Sequence, residues 1–498
     1  MKKFRLLKNA ALLTVTGFFL RGLGMIFRIY ISGRIGEEGM GLYQLISSVY
    51  FLFITLAQSG ISVTVTRLCA QKFALRDSLG AYKILKSAIA VALLTGGLAC
   101  GGMLVLSGTL SKLWIADMRA LYSLRVLALS LPFISVCNVL SSYFIASKNV
   151  VYGCTAQILE QLTRMGIVVI AAAYFSKYSL PVMLAAVFAA NTLSEAVSCM
   201  YLGLRLLMKK DRPFGRKGEK PHYKRLIVKS SAPVAASRYL ASALHTAENM
   251  LVPSAMTLFT HSRADSLAAF GALKGMAMPL LFFPSSFLSA MSTLLVPEIT
   301  DAHARRDRAA MTKIINRAAS FTLILSIMAA GVFWMFSDSL GMLIYKSPQV
   351  SKMLLMLAPI VPFMYLDSIC DGLLKGLGLQ RQVLIHNCVD SALRIILIAT
   401  IVPKFGINGF IAVMWVSNIL ISVLNLRLLL KVSGVKCNFK GWFLYPLGCA
   451  AVSAIITKFL RPNGATVLKT GLGCILFCSV FLLLMMFLSR ESKIYKNK

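Results

Sequence analysis

The chain has 498 residues, of which 57% are hydrophobic and only 14% are charged, whereas about a quarter of the residues in a soluble protein are charged. Its formal net charge of +35 would favour nucleic-acid binding, but the basic residues lie in short segments between long apolar runs. This pattern excludes a soluble enzyme and a nucleic-acid-binding protein, and it predicts an all-α integral membrane protein.

Long apolar runs recur from one end of the chain to the other. Because a helix needs about 20 apolar residues to cross the hydrocarbon core, we predict about 14 transmembrane helices. The predicted spans are 9–33, 41–64, 84–107, 121–145, 152–175, 181–205, 229–252, 268–296, 317–343, 353–377, 382–402, 407–430, 441–460 and 467–489. The first run contains two arginines and lacks a small-residue cleavage site, so we interpret it as a retained helix.

The sequence repeats itself at an offset of 230 residues. Segment 126–133 resembles segment 356–363, and the same offset relates two acid–base pairs, Glu160 with Arg164 and Asp390 with Arg394. The repeat unit contains six predicted spans, an even number, so the two copies have the same orientation and are expected to enclose a substrate site. The predicted parts are an N-terminal lobe at 1–207, a basic cytoplasmic linker at 208–228, a C-terminal lobe at 229–432, and two further helices with a cytoplasmic tail at 433–498.

The two repeated acid–base pairs lie inside predicted spans, where ionisable groups are costly and usually face a partner or a cavity. In each pair the acid precedes the base by four residues, which is the favourable helical spacing. We therefore predict that Glu160–Arg164 and Asp390–Arg394 are structural pairs that stabilise the lobes. A functional role is the alternative.

The first span contains two cations on one face. Gly17, Arg21, Gly24 and Arg28 are spaced i, i+4, i+7 and i+11, so they lie within about 60° of one another around the helix. No acid shares this face. Snorkelling of the arginines, or pairing with acids such as Glu248 on another helix, is the alternative to a water-filled cationic cavity between the lobes.

The second repeat begins with a similar stripe. The seventh span contains Arg238, Ser242, His245 and Asn249 at the same spacing, and the eighth span adds Lys274, which the offset places opposite Gln44. Arginine presents a planar fork that matches phosphate or carboxylate oxygens, and lysine supplies a point charge. The cations therefore predict an anionic ligand.

The tenth span contains Asp367, Asp371 and Lys375. An Asp371–Lys375 pair near the membrane surface is the favoured interpretation, and binding of a proton or Na⁺ by Asp367 is the alternative. Asp371 and Glu248 are further candidates for such ion coupling. The cysteines and histidines show no metal-ligand spacing, so no metal and no other cofactor is predicted.

Three N-terminal segments resemble a known family. LRGLGMIFR at 20–28, IGEEGMGLY at 35–43 and GISVTVTRL at 60–68 resemble the stage V sporulation protein B family. That family belongs to the polysaccharide transporters of the multidrug/oligosaccharidyl-lipid/polysaccharide (MOP) superfamily. The resemblance implies a flippase in the plasma membrane that moves an undecaprenyl-pyrophosphate-linked saccharide by alternating access, with a role in peptidoglycan or related polysaccharide synthesis and in sporulation.

The sequence also resembles, more distantly, the lipid II flippases of that superfamily. This resemblance implies that Arg21, Arg28 and Lys274, with Arg238 as a weaker candidate, bind the substrate pyrophosphate. Its partners would be the lipid-linked saccharide and the bilayer, with cell-wall synthesis proteins as candidates and no nucleic acid. A multidrug and toxin extrusion (MATE) transporter is the main alternative, although such transporters normally carry cations. A membrane glycan-processing enzyme is the other, and it would need a large catalytic loop outside the membrane.

The distribution of lysine and arginine predicts that both termini are cytoplasmic. Single cysteines placed in loop 208–225 should react with an impermeant thiol reagent only after the membrane is permeabilised, and cysteines in segment 34–40 should react in intact cells. Labelling of both segments from the same side would contradict the predicted orientation.

Overall fold

The computed structural model describes residues 2–58, 60–175, 179–208, 223–435, 440–460 and 466–494. Most of the predicted basic linker, residues 209–222, lies outside this part of the chain. The described residues are almost entirely helical and contain no β-strand. Nine of their helices are long and apolar enough to cross a membrane, and a tenth is added if one bent pair of helices is a single span.

The chain divides into two compact units, Met1–Ser254 and Ala255–Lys498. The helices that begin in unit 1 are α1 (Lys2–Gln58), α2 (Ile61–Ala74), α3 (Ser78–Thr109), α4 (Leu121–Ala128), α5 (Ser130–Ala146), α6 (Val150–Phe175), α7 (Leu180–Leu207) and α8 (Tyr223–Thr260). The boundary between the units falls inside α8.

The second unit continues the all-helical order. Its helices are α9 (Arg263–Phe270), α10 (Met278–Phe282), α11 (Ser286–Ala304), α12 (Arg308–Met335), α13 (Ser337–Leu340), α14 (Pro348–Leu357), α15 (Val361–Gly376), α16 (Gln380–Ser433), α17 (Tyr445–Leu460) and α18 (Val467–Ile494). A π-helical segment, Gly271–Ala277, joins α9 to α10.

Two of the long helices each contain two predicted spans. α1 is broken at Gly36 (φ 68°, ψ −174°) and α16 at Gly406 (φ 57°, ψ −135°). Residues with a side chain rarely adopt such positive φ angles, whereas glycine does so at little cost. Each glycine therefore turns the chain between spans without a loop, and counting continuous helices gives fewer spans than the hydropathy of the sequence.

Two predicted spans are interrupted where hydropathy shows nothing. The predicted span 41–64 ends at Gln58, and the chain restarts as α2 after Gly60, which has a φ of 76°. The predicted span 268–296 is divided between α10 and α11 by the turn around Pro284 and Ser285. Each break is only about three residues long, Gln-Ser-Gly at 58–60 and Pro-Ser-Ser at 284–286, and apolar runs flank it on both sides, so the average over a hydropathy window stays high.

The sequence repeat recurs in the backbone at the same offset of 230 residues. Arg76 and Arg306 are both left-handed, with φ angles of 56° and 55°. The next residues, Asp77 and Asp307, each cap the helix that follows by accepting a backbone N–H bond, at 2.8 Å and 2.9 Å. Carboxylate capping of this kind satisfies N–H groups that have no partner within the helix.

Other backbone features recur in the same order. Left-handed residues stand at Ala116 and Lys346, and again at Lys148 and Gly378. Helices α6 and α16 begin at Val150 and Gln380. The order of turns and helices from Arg76 to Val150 in unit 1 thus recurs from Arg306 to Gln380 in unit 2.

Helix α8 is hydrogen-bonded to the second half of α1 within unit 1. Thr246 Oγ1 donates to the Ser48 carbonyl (3.2 Å), and Asn249 Nδ2 donates to Ser48 Oγ (3.0 Å). One end of the contact is the Gly60 break, where a Cβ atom would stand 2.5 Å from the Ser231 carbonyl oxygen. The helices approach closely because Gly60 has no side chain.

Gly60→Ala should therefore destabilise the protein. The alanine would suffer both the positive φ and the clash with Ser231, at a cost of about 1–3 kcal/mol or more. Gly101→Ala is the matched control, because a Cβ atom there meets nothing within 4 Å. Thermal unfolding of the detergent-purified variants should show a lower midpoint for Gly60→Ala alone. Equal midpoints would contradict the close packing at Gly60.

Candidate functional site

A cavity of about 230 Å³ lies inside unit 1, and we call it the arginine cavity. Its lining residues come from both halves of α1 and from α4, α6 and α7: Gly24, Phe27, Arg28, Tyr43, Gln44, Ser47, Tyr50, Phe51, Leu127, Gln161, Arg164, Phe188 and Asn191. The turn at Gly36 brings the two halves of α1 to the same cavity, so residues far apart along one helix share its wall.

The lining of the arginine cavity is positively charged. It contains two arginines, Arg28 and Arg164, several neutral polar side chains and no carboxylate. Arg28 is half-buried, and its side chain has no recorded hydrogen bond or ion pair with any residue that the structure describes. A cation in an apolar environment needs water or an anion near it, so the cavity is suited to an anionic group.

Aromatic residues form part of the wall of this cavity. The rings of Tyr43 and Phe188 stack with centroids 5.0 Å apart and an interplanar angle of 5°. The Tyr50 hydroxyl lies 2.6 Å from Ser130 Oγ and accepts a bond from Asn191 Nδ2 at 3.4 Å. These contacts join α1 to α5 and α7 around the arginines.

A second cavity in unit 1, of about 320 Å³, is lined by two carboxylates, and we call it the carboxylate cavity. Its residues are Leu20, Ile134, Cys137, Asn138, Ser141, Gly153, Ala156, Gln157, Glu160, Gln161, Glu195, Ser198 and Leu202. Gln161 lines both cavities. The two cavities are therefore neighbours that share Gln161 of α6.

Arg164 interacts with both carboxylates of the second cavity. Its Nη2 donates to Glu160 Oε1 and lies 3.9 Å from Glu195 Oε1. Its Nη1 donates to Gln161 Oε1 at 3.3 Å, whereas its Nε is buried without a hydrogen-bond partner. The Glu195 side chain is only 7% exposed. One guanidinium that lines the arginine cavity thus forms ion pairs with both carboxylates that line the other cavity, closely with Glu160 and more distantly with Glu195.

The equivalent pair in unit 2 has a different environment. Ser417 Oγ donates to Asp390 Oδ1 (2.5 Å) and accepts from Arg394 Nε (2.6 Å), and the ion pair itself measures 3.4 Å. The slip that aligns Asn191 with Asn418 places Ser422 where unit 1 has Glu195. The serine hydroxyl therefore bridges the acid and the base in unit 2, where Asp367 is a further acid that interacts electrostatically with both. In unit 1 the second acid is Glu195.

Three other predicted residues lie in unit 2. Lys274 Nζ lies 5.6 Å from the centre of the Phe410 ring, in a cation–π contact. Lys375 Nζ lies 2.6 Å from Asp371 Oδ2, so this predicted pair is present. Asp367 accepts from Asn425 Nδ2 at 2.7 Å. This aspartate is therefore held by an amide rather than by a cation.

The remaining candidates lie elsewhere in unit 1. Arg21 and Arg238 are exposed and line neither cavity. Arg21 and Glu248 each interact with a neighbouring group, so an unpartnered state of Arg21 does not explain its place in the first span. Glu248 is buried, with 2% of its surface exposed. Of the predicted pyrophosphate-binding residues, Arg28 is the one found in a cavity of unit 1.

Sequence reasoning missed Gln161 and Glu195 as site residues. Glu195 has no base four residues away, because its cation belongs to a different helix. A signal was nevertheless present: Glu195 is the sole acid in the apolar run of α7, and an ionisable residue in a span usually marks a functional site.

The comparison with protein families gives the identity of the chain. Residues 6–303, more than half of the sequence, match the family described as "Polysaccharide biosynthesis protein". The chain belongs to this family. Residues 239–400 also match the family described as MatE. A curated relative, "Stage V sporulation protein B" of Bacillus subtilis (strain 168), is 24% identical over 92% of this chain and 91% of its own length.

Solved structures show the fold. "Lipid II flippase MurJ, inward closed conformation" matches with a TM-score of 0.74 at 15% identity, over 96% of this chain and 98% of its own. A multidrug resistance MATE family transporter of the MOP superfamily in an inward-facing conformation matches with a TM-score of 0.70 at 16% identity, over 84% of this chain and 94% of its own. The chain is thus a multi-pass membrane protein with the fold of these transporters.

The Asp390–Arg394 pair is expected to be structural. Asp390→Asn leaves Arg394 without its carboxylate and should lower the free energy of unfolding by about 3 kcal/mol, more than the double replacement Asp390→Asn with Arg394→Gln does. The folded yield and thermal midpoint of the two variants provide the test. A double variant that folds normally but no longer transports would contradict the structural role.

Proposed function

We propose that this protein is a flippase that carries an undecaprenyl-pyrophosphate-linked saccharide across the plasma membrane by alternating access. The observation that carries the proposal is the lining of the arginine cavity, with two guanidinium groups and no carboxylate. A site of this composition attracts an anion and repels a cation.

The chemistry of the lining suits a phosphoryl group. A guanidinium offers parallel N–H donors that match two oxygens of a phosphate, and such charge-assisted bonds are about twice as strong as neutral ones. The Gln44, Gln161 and Asn191 amides add donors without adding charge. In the low dielectric of a membrane protein, these contacts are stronger than they would be in water.

The size of the cavity indicates which part of the substrate it holds. Its volume of about 230 Å³ is below the range of about 300–1,000 Å³ for sites that enclose drug-sized ligands. It can therefore enclose a phosphoryl-bearing headgroup, but not a saccharide together with a prenyl chain. In the proposed cycle the cavity holds the headgroup and the prenyl tail stays in the lipid.

The relatives support this substrate class. The chain belongs to a family described by polysaccharide biosynthesis, and it shares its fold with a lipid II flippase. By analogy with the Bacillus subtilis sporulation protein, we propose a role in the cell wall made during sporulation. The multidrug alternative has a fold likeness behind it, but the arginine cavity disfavours the cations that such transporters normally carry.

The fine architecture is part of the proposal. We propose fourteen crossings, six in each repeat and two after them, with both termini in the cytoplasm. The glycine turns of α1 and α16 divide two of the nine recognised spans, and the recurrence at 230 residues supports equal repeats. Arg21, Lys274 and Arg238 remain proposed contacts of the substrate, and Asp367, Asp371 and Glu248 remain proposed coupling residues.

Replacing Arg28 tests the proposal. Arg28→Ala should lower the flipping rate in proteoliposomes by about 10- to 100-fold, because a hydrogen bond to a charged group contributes about 1.5–3 kcal/mol. Arg28→Lys should retain part of the rate, since the charge survives and the planar fork does not.

Arg305→Ala is the control for that experiment, because Arg305 forms an exposed pair with Asp301 and lines no described cavity. Its rate should equal that of the unmodified protein. Full transport by a stable Arg21→Ala/Arg28→Ala double variant would refute the proposed role of these arginines.

A further inference from the structure

The charges around Arg164 balance only while the arginine cavity is empty. Four charged side chains on α1, α6 and α7 line the two cavities: Arg28, Arg164, Glu160 and Glu195. With all four ionised their charges sum to zero. An anion that enters the arginine cavity makes the sum negative, and uncompensated charge is costly in a low-dielectric environment.

Arg164 connects the two cavities physically. It lines the arginine cavity, and the same guanidinium is bonded to Glu160 and lies 3.9 Å from Glu195. Its Nε is buried and has no hydrogen-bond partner, so this N–H group remains available to donate a hydrogen bond. A phosphoryl oxygen that bonds to Arg164 competes with the two carboxylates for the same positive charge.

Glu195 is the carboxylate that this competition affects most. Its side chain is 7% exposed, it lines the carboxylate cavity, and its closest cationic nitrogen is at 3.9 Å. The structure gives it no hydrogen bond within the described part of the chain. If an anion binds Arg164, the buried Glu195 carboxylate loses its weak partner, and its negative charge then needs another cation nearby.

The other groups packed around this carboxylate cannot supply that cation. Cys137 on α5, Cys199 on α7 and Tyr50 on α1 are titratable but ordinarily neutral at pH 7, and the Cys137 thiol lies 3.4 Å from Ser198 Oγ. Arg28 lines the arginine cavity only, and Arg21 is exposed. The compensating charge therefore has to enter from solution.

We propose that Glu160 and Glu195 form a site for a monovalent cation, a proton or Na⁺, whose occupancy is coupled through Arg164 to an anion in the arginine cavity. Glu160, Glu195 and the amides of Asn138, Gln157 and Gln161 supply the oxygens for Na⁺, and a proton would bind to one carboxylate. The coupling rests on the proposed function. It makes anion and cation bind together, which is the requirement for cotransport.

Unit 2 provides the internal control. Its equivalent pair, Asp390 with Arg394, has Ser417 as a third member and Ser422 in the place of Glu195. Ser417 bridges this acid and base, and the nearby acid Asp367 accepts a hydrogen bond from Asn425, so the pair has no weakly held carboxylate like Glu195 and no coupled cation is expected from it.

The test is titration of the full-length protein in nanodiscs with geranyl pyrophosphate, a short prenyl pyrophosphate, above pH 8, where the ligand's phosphates are fully ionised. In Na⁺-free buffer the Kd should rise by about tenfold per pH unit, the slope expected when about one proton is taken up with each anion. Added Na⁺ should tighten binding and flatten this slope.

Variants test which residues couple cation binding to pyrophosphate binding. Glu160→Gln/Glu195→Gln should still bind the pyrophosphate but lose both the pH slope and the Na⁺ effect. The double replacement Asp390→Asn with Arg394→Gln, the less destabilising change to the unit 2 pair, should keep both. Binding by the unmodified protein with neither slope nor Na⁺ effect would overturn the cation site and leave the proposed function standing. Absence of any pyrophosphate binding would overturn both, and linkage that persists in the double glutamine variant would place the cation elsewhere.

Discussion

Charge compensation in an apolar environment is the constraint on which the arrangement around Arg164 depends. A guanidinium inside a membrane protein must face a carboxylate, water or an anionic ligand. Arg164 faces the first of these on one side, through Glu160 and Glu195, and on the other side it lines a cavity with Arg28. The same side chain is therefore part of a structural ion pair and of an anion-binding wall.

The helix breaks make this geometry possible. Because α1 turns at Gly36, residues before and after the turn line the same cavity, and Arg28 and Gln44 contribute to one wall. The packing of α1, α6 and α7 then brings Glu195 to within reach of Arg164. Unit 2 repeats the acid–base pair, but Ser417 bridges it, and a serine, Ser422, stands where unit 1 has Glu195.

Much of this structure could be predicted from the sequence. Apolar runs of sufficient length predicted the helices, and the equal spacing of Glu160–Arg164 and Asp390–Arg394 predicted two ion pairs that the structure contains. These features are local, because i,i+4 neighbours meet within one helix whatever surrounds it. The shared face of Arg21 and Arg28 predicted a cationic cavity between the two lobes, whereas Arg28 lines a cavity inside unit 1 and Arg21 does not line it.

The features that the sequence did not predict depend on contacts between helices, and the spacing of residues along one helix carries no information about such contacts. Glu195 meets its arginine on another helix, and the division of the span 268–296 follows from a turn in an otherwise apolar run.

The central claim is that Arg28 and Arg164 hold the phosphoryl group of the substrate. An electron cryomicroscopy structure of the protein with a prenyl pyrophosphate bound tests it most directly. Phosphate density about 3 Å from both guanidinium groups is the predicted result, and density that contacts neither arginine would contradict the account.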